Sequence, residues 1–158
     1  RAAAASRRNR DFLIIARTDA RAVAGFDEAV ARANAALAAG AEMAFVEAPQ
    51  TVEEVAAVPR RVNGPCLLNV VYGGKTPFLD LREAEAMGYK LAILPGLLMK
   101  SVVGICEQAL AELKTSQRHP VPVKEMTLRE LFQRFGADEW DGLRPRFHEA
   151  PPARDAAE

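Results

Sequence analysis

The chain has 158 residues, about the length of one domain. Apolar residues make up 49% and charged residues 27%, as in an ordinary globular protein. The 21 basic and 21 acidic residues leave a formal net charge of zero, which argues against nucleic acid or an anionic membrane as a partner. No apolar run approaches the roughly 18 residues that span a bilayer. Two cysteines form no disulfide framework, so we expect a reducing, cytoplasmic location.

The first elements are a helix end and a strand. Residues 1–9 are rich in good helix formers and predict the end of a helix. Residues 12–16 are predicted as the first strand, with residues 12–15 buried on both faces as in a parallel sheet. Arg17 and Asp19 follow it, at the end of a strand that carries ligand chemistry in α/β folds.

Strand and helix patterns then alternate along the chain. Further strands are predicted at residues 43–46, 66–68 and 90–94. Helices are predicted at residues 27–39 (ended by Gly40), 51–58 (with a Thr51/Glu54 capping box), 80–87 (ended by Gly88) and 97–113. This alternation predicts parallel strands joined by right-handed crossovers, and the short apolar strands are typical of a (β/α)8 barrel. An open doubly wound or flavodoxin-like sheet is the competing architecture, although no glycine-rich phosphate loop follows the first strand.

The pattern changes after the fourth unit. Residues 116–122 read as a polar connector, and the Thr127/Glu130 capping box predicts a helix to about residue 135. A further helical turn is expected near residues 138–142. We therefore divide the chain into a half barrel (1–115), a helical extension (116–149) and a frayed tail (150–158). His119 and His148 are expected at the surface, and Cys66 and Cys106 are expected to be small buried apolar residues.

Polar side chains lie at several predicted strand ends, which meet at one rim in a barrel. Arg17 either pairs with Asp19 or Glu47, or clamps a substrate carboxylate or phosphonate with its planar guanidinium. Glu47 is either a solvated strand end, or a group that holds Arg17 or orients metal-bound water. Asn69 either caps the backbone or donates to a substrate oxygen.

A second group of candidates follows the third and fourth strands. Gly73 and Gly74 form either a simple turn or a stretch whose N–H groups approach an anion. Lys75 is either an exposed surface residue or a catalytic one. Lys100, in the first turns of the last barrel helix, is a weaker candidate for binding an anion.

Four short motifs together resemble one known family. They are residues 14–20 (IIARTDA), 39–48 (AGAEM followed by FVEA), 68–77 (Leu-Asn followed by GKTP) and 94–96 (LPG). In this order they are similar to the isocitrate lyase/phosphoenolpyruvate mutase superfamily, and to its small members: methylisocitrate lyase, phosphonomutase and oxaloacetate decarboxylase-like proteins. The resemblance covers about residues 1–135.

The resemblance implies a TIM barrel with a Mg²⁺-dependent site for small α-keto or 2-hydroxy carboxylates. It also implies a homo-oligomer with swapped C-terminal helices. Arg17, Glu47 and Asn69 match substrate-binding positions of the family, with Glu47 also near the metal. Lys100 lies near a position that is often arginine in the lyases. The role of Asp19, within the same signature, is less defined, as are those of Gly74 and Lys75.

Two family features are not found in this sequence: the metal-binding acidic motif and the Lys-x-Cys-Gly-His catalytic loop. The four strands therefore resemble strands five to eight of the barrel, with the Mg²⁺ ligands expected mainly outside this chain. Four strands cannot close such a barrel, so we expect a fragment or a chain that needs a partner half. The predicted function is part of a Mg²⁺-dependent carbon–carbon lyase or phosphonomutase-like enzyme. The alternative is an inactive half-barrel or oligomerisation module.

Overall fold

A computed structural model describes residues 1–147 and shows one parallel sheet of four strands. The strands are β1 (Ile15–Thr18), β2 (Met43–Val46), β3 (Cys66–Asn69) and β4 (Leu91–Ile93). They lie side by side in sequence order, and every neighbouring pair is parallel. A doubly wound sheet would reverse its strand order partway across. The doubly wound and flavodoxin-like alternatives are therefore wrong, and the prediction of four parallel strands with helices is confirmed.

Eight helices are present among the described residues. They are α1 (Ala2–Ser6), α2 (Ala20–Ala24), α3 (Phe26–Ala38), α4 (Val52–Arg61), α5 (Leu81–Met87), α6 (Leu97–Ser116), α7 (Leu128–Arg134) and α8 (Ala137–Phe147). None of these helices is long and apolar enough to cross a membrane. The chain divides into two compact units, Arg1–Val103 with the sheet and a second unit from Gly104 onward. The division at 115/116 proposed from the sequence stays a prediction.

Alternate side chains of each strand face opposite sides of the sheet. One side packs against the helices, and its core includes Ala44, Val46, Cys66 and Leu68. The other side, which we call the inner face, buries Met43, Phe45 and Leu67 in a small cluster with Ile93 against it. Because strand side chains alternate with a period of two, Arg17, Glu47 and Asn69 belong to the inner face as well.

The first strand lies later in the chain than the sequence predicts. The side-chain Oδ1 atom of Asn9 accepts a hydrogen bond from the backbone N–H of Asp11, and its carbonyl oxygen accepts one from the N–H of Phe12. The turn formed by these bonds precedes the strand. The strand begins only at Ile15, and Phe12 is 69% exposed. The prediction of a strand at residues 12–16, buried on both faces, is therefore wrong. Arg17 consequently lies inside β1 and not beyond it.

Helix α4 continues past the point where the sequence predicted its end. Thr51 caps it as expected by accepting a hydrogen bond from the backbone N–H of Glu54. Pro59 lies inside the helix, which ends at Arg61 and not near residue 58. Proline removes the donor that would bind the carbonyl four residues earlier. That carbonyl, of Val55, instead accepts a hydrogen bond from the Tyr89 hydroxyl group.

Other local predictions have mixed outcomes. Helix α2 was not predicted. Gly88 ends α5 in the left-handed conformation as expected, and Thr127 and Glu130 form the predicted capping box of α7.

Cys66 is buried, and desolvation raises the pKa of its thiol to about 11, whereas Cys106 is exposed, contrary to prediction. Helix α6 buries none of its residues, which explains that exposure. His119 is exposed as predicted, whereas His148 and the predicted tail at 150–158 lie outside the described residues.

Candidate active site

Arg17 and Asp19 form a two-point ion pair at the carboxyl end of β1. Arg17 Nε lies 3.0 Å from Asp19 Oδ2, and Arg17 Nη2 lies 2.8 Å from Asp19 Oδ1. Asp19 directly follows the strand, at the residue before α2, and its carboxylate contacts Arg17 instead of making a capping hydrogen bond. The pair is about half exposed to solvent, which makes it weaker than a buried pair.

Glu47 joins this pair from the neighbouring strand. Its Oε2 atom lies 3.5 Å from Arg17 Nη2 and accepts a hydrogen bond from Asn69 Nδ2 at 3.3 Å. Glu47 follows β2 and Asn69 ends β3, so three adjacent strands each supply one of these side chains. The structure thus brings together four of the residues singled out from the sequence, which we call the rim cluster: Arg17, Asp19, Glu47 and Asn69.

The ionisation states of the rim cluster follow from its contacts. The hydrogen bond to Asp19 raises the pKa of the Arg17 guanidinium group, and the charge of Glu47 adds to this effect. The same bond lowers the pKa of the Asp19 carboxyl group. One guanidinium group and two carboxylates give the cluster a formal excess of one negative charge. A carboxylate ligand would therefore bind here more readily if a further cation were present.

Asn69 has an acceptor atom without a partner. Its Oδ1 atom is buried and has no hydrogen-bond partner among the described residues, whereas its Nδ2 atom is used by Glu47. Buried polar atoms are normally hydrogen-bonded, and one that is not calls for an explanation. An incoming donor, such as a ligand hydroxyl group, would satisfy this atom.

Two features outside the cluster set the position of Glu47. The next residue, Ala48, has a φ of 51°, a left-handed conformation that few non-glycine residues adopt. Beyond it, Glu54 binds Arg21 through two contacts of 3.0 and 2.8 Å. Arg21 lies in α2, after β1, whereas Glu54 lies in α4, after β2. This ion pair therefore joins the turn that carries Asp19 to the turn that carries Glu47.

Within residues 1–147, the remaining candidates from the sequence make no hydrogen bond or ion pair with the rim cluster. Lys100 donates from Nζ to the carbonyl oxygen of Tyr72 at 3.0 Å, and it lines a mostly apolar cavity of about 480 Å³ beside Phe78 and Leu97. The N–H of Gly74 is donated to the carbonyl of Val71, as in a simple turn. Lys75 is exposed. Anion binding by Lys100, Gly74 or Lys75 therefore stays a prediction.

Phe45 is a further residue of this site, and it was not among the candidates predicted from the sequence. Its ring lies under the guanidinium group of Arg17, with 5.1 Å between Arg17 Cζ and the ring centroid. The residues are register partners in β1 and β2. The alternation of Met43, Phe45 and Glu47 along one strand could have indicated that Phe45 shares a face with the rim cluster.

The rim cluster does not by itself form a magnesium site. Within residues 1–147, no group of three or more His, Cys, Asp or Glu side chains is arranged to hold a metal ion. Asp19 uses both of its carboxylate oxygens, and Glu47 uses Oε2, in contacts with Arg17. Mg²⁺ prefers octahedral coordination by oxygen atoms, and these residues do not supply it.

Comparison with known proteins identifies the family. The model of the phosphoenolpyruvate phosphomutase family matches residues 1–114. The 2,3-dimethylmalate lyase of Eubacterium barkeri is 39% identical over 119 residues, which are 75% of this chain and 40% of that protein. The 2-methylisocitrate lyase of Aeropyrum pernix is 35% identical over 133 residues, or 84% of this chain and 43% of that protein.

Solved structures give the same result for the fold. A crystal structure of 2,3-dimethylmalate lyase superposes with a TM-score of 0.77 at 34% identity and covers 86% of this chain and 48% of that one. Oxaloacetate acetylhydrolase bound to 3,3-difluorooxalacetate superposes with a TM-score of 0.79 at 28% identity and covers 86% of this chain and 46% of that one.

The fold and the rim cluster therefore place the chain among the barrel-type α/β proteins. It belongs to the phosphoenolpyruvate phosphomutase family, within the isocitrate lyase/PEP mutase superfamily. The resemblance inferred from the sequence motifs is thus confirmed. The chain spans less than half the length of the curated relatives described above.

Proposed function

We propose that this chain supplies the carboxylate-binding side of the active site of a Mg²⁺-dependent lyase or mutase. The substrates would be small α-keto or 2-hydroxy carboxylates. The observation that carries the proposal is the convergence of Arg17, Glu47 and Asn69 from three adjacent strands. The carboxyl ends of barrel strands are where such enzymes place their chemistry.

Each residue of the rim cluster has a defined role in this proposal. Arg17 binds a substrate carboxylate through the guanidinium edge that Asp19 leaves free. Glu47 holds Arg17 and Asn69 in place through its shared Oε2 atom. Asn69 Oδ1 accepts a hydrogen bond from a substrate hydroxyl group, which satisfies this buried atom.

The names of the relatives support a lyase acting on carboxylates. The two curated relatives described above are lyases of 2,3-dimethylmalate and 2-methylisocitrate. Mg²⁺ dependence is part of the proposal because the cluster is net negative, and a cation would lower its repulsion of an anionic substrate. The ligands of that ion would come from residues other than the rim cluster, so the present chain would be one part of a longer enzyme or of an assembly. A cytoplasmic location stays a prediction.

The test is an assay of carbon–carbon bond cleavage with 2,3-dimethylmalate, 2-methylisocitrate and oxaloacetate, with and without Mg²⁺. It is run on the chain alone and on the chain joined to the N-terminal half of the E. barkeri lyase. We expect Mg²⁺-dependent cleavage by the joined protein, which Arg17→Ala abolishes. Arg82 is an exposed arginine in α5, so Arg82→Ala is the matched control, and we expect it to keep the activity. Equal activity of Arg17→Ala and the unmodified protein would reject the role of Arg17.

A second candidate function is an oligomerisation module. Helices α7 and α8 of the second unit, with Phe135 at the end of α7, expose several large apolar side chains, among them Leu128, Phe132, Phe135 and Trp140. Such a surface is typical of a protein–protein contact, and the occupant we propose is a second copy of this chain, with exchanged C-terminal helices. Light scattering after size-exclusion chromatography tests it. A dimer or larger species that becomes a monomer in Phe135→Ser/Trp140→Ser supports this function, and a monomeric unmodified chain rejects it.

A further inference from the structure

Phe45 lies beneath the guanidinium group of Arg17 on the inner face of the sheet. The two residues are opposite each other in the parallel pairing of β1 and β2, so the backbone register brings them together. Phe45 is 7% exposed and packs with Met43 and Leu67, which restricts movement of its ring. Arg17, by contrast, is half exposed. The fixed ring can therefore restrain a side chain that would otherwise sample several conformations.

The hydrogen bonds of Arg17 use the Nε/Nη2 edge of its guanidinium group. Asp19 accepts from Nε and Nη2, and Glu47 lies beside Nη2. Within residues 1–147, Nη1 makes no hydrogen bond, so the edge that contains Nη1 is available to a ligand. A carboxylate binds a guanidinium group best through two parallel N–H donors in one plane. The orientation of that plane therefore decides how well Arg17 can bind a carboxylate.

We propose that Phe45 is a positioning residue of the candidate site. Its ring holds the plane of the Arg17 guanidinium group and keeps the Nη1 edge available to a carboxylate. The face of an aromatic ring attracts a cation electrostatically, and a guanidinium group can also stack on it. Without the ring, binding must itself immobilise the side chain, which lowers affinity. This inference rests on the proposed function, in which Arg17 binds the substrate carboxylate.

The first test measures the affinity of the chain for oxalate by titration calorimetry at low ionic strength. We expect Phe45→Leu to weaken binding by about three- to tenfold, because the cation–π contact is lost while apolar bulk is kept. Phe45→Trp should bind as the unmodified chain does, since indole is also a good cation–π partner. Leu67→Ala is the control, because it removes bulk from the same apolar cluster at a residue that is not the strand partner of Arg17.

A double-substitution cycle separates positioning from a general effect on the fold. In an Arg17→Lys background, the ammonium group has no planar face to orient, so adding Phe45→Leu should change the affinity much less. An equal loss in both backgrounds would reject the positioning role. An unchanged affinity of Phe45→Leu for oxalate would also reject the positioning role. If Arg17→Ala abolishes binding in the same assay, the proposed function would still stand.

A second readout does not depend on binding. The Nε–Hε signal of Arg17 in a nitrogen–proton NMR spectrum, assigned by its loss in Arg17→Lys, reports on the ring beneath it. Phe45→Leu should move this proton signal downfield and speed its exchange with water, whereas Leu67→Ala should not. If the unmodified chain and Arg17→Ala bind oxalate equally, or neither binds it, the chain alone does not bind a carboxylate through Arg17. This signal then decides the role of Phe45, and an unchanged signal would reject it.

Discussion

The Tyr89 hydroxyl group donates a hydrogen bond of 2.9 Å to the backbone carbonyl of Val55, the residue four positions before Pro59 in helix α4. The tyrosine thus replaces the N–H donor that proline lacks. Both residues are buried, and burial raises the pKa of the Tyr89 hydroxyl group. This bond explains how α4 continues through Pro59 to Arg61, beyond its predicted end at residue 58.

We expect Tyr89→Phe to lower the free energy of unfolding by about 1–3 kcal/mol, because it leaves the buried Val55 carbonyl without a donor. Urea unfolding followed by circular dichroism measures the change. Tyr72→Phe is the matched control, since Tyr72 is 78% exposed, and it should have little effect. The loss should be smaller in a Pro59→Ala background, where the helix supplies its own N–H. An equal loss in both backgrounds would contradict this explanation of α4.

Glu54→Gln should destabilise the chain at neutral pH by about 1 kcal/mol, because it removes a partly exposed ion pair with Arg21. The hydrogen bond from Arg21 lowers the pKa of the Glu54 carboxyl group in the folded state. The pair therefore contributes fully above the unfolded pKa of glutamate, about 4.3, and its contribution is lost as the pH falls through the lower folded value.

Urea unfolding of both proteins between about pH 7 and pH 3 tests this prediction. The free energies of unfolding of Glu54→Gln and of the unmodified chain should converge as the pH falls. Glu28→Gln is the control, because Glu28 forms a more exposed pair with Arg32 within one helix, and its effect should be much smaller. A difference for Glu54→Gln that stays constant with pH would show that the charge of Glu54 is not responsible.

Gly40→Ala should destabilise the chain by about 1–2 kcal/mol through its backbone alone, because the φ of Gly40 is 108°. A Cβ atom at Gly40 would also lie 2.7 Å from the Cβ atom of Ala4, so α1 would have to shift. Gly104→Ala is the opposite case, since a Cβ atom there has no neighbour within 4 Å and the position is helical. It should raise helix stability by up to about 1 kcal/mol. Thermal unfolding of Gly40→Ala and Gly104→Ala tests these two expectations. Equal shifts in Tm for the two variants would contradict them.

Asn69→Asp should destabilise the chain at neutral pH, because it places a carboxylate about 3.3 Å from Glu47 in place of a hydrogen-bond donor. Repulsion and burial should raise the folded pKa of the new carboxyl group above its unfolded value. Stability is then regained as the pH falls, the opposite trend to that of Glu54. Asn63→Asp, at an exposed asparagine, is the control and should show neither effect. A pH-independent loss in Asn69→Asp would contradict the Glu47–Asn69 contact.

Much of the fold can be predicted from local sequence patterns. Helix α7 with its capping box and strand β2 follow the prediction closely, because their signals lie within a few neighbouring residues. The start of β1 was missed because Phe12, Leu13 and Ile14 are apolar and suit a strand, whereas the turn at Asn9 includes Phe12 and the strand begins only at Ile15. The length of α4 depends on Tyr89, which lies 30 residues after Pro59, and no local pattern contains that information.

The sequence by itself determined the order of strands and helices, the family motifs, and the candidates Arg17, Glu47 and Asn69. These follow from short-range periodicity and from residue types at strand ends. Only the tertiary structure decided that Glu47 Oε2 contacts both Arg17 and Asn69, that Lys100 contacts Tyr72 instead, and that Phe45 lies beneath Arg17. The register between parallel strands sets the contacts among Arg17, Phe45, Glu47 and Asn69, and it results from packing across the whole sheet, which no single segment encodes.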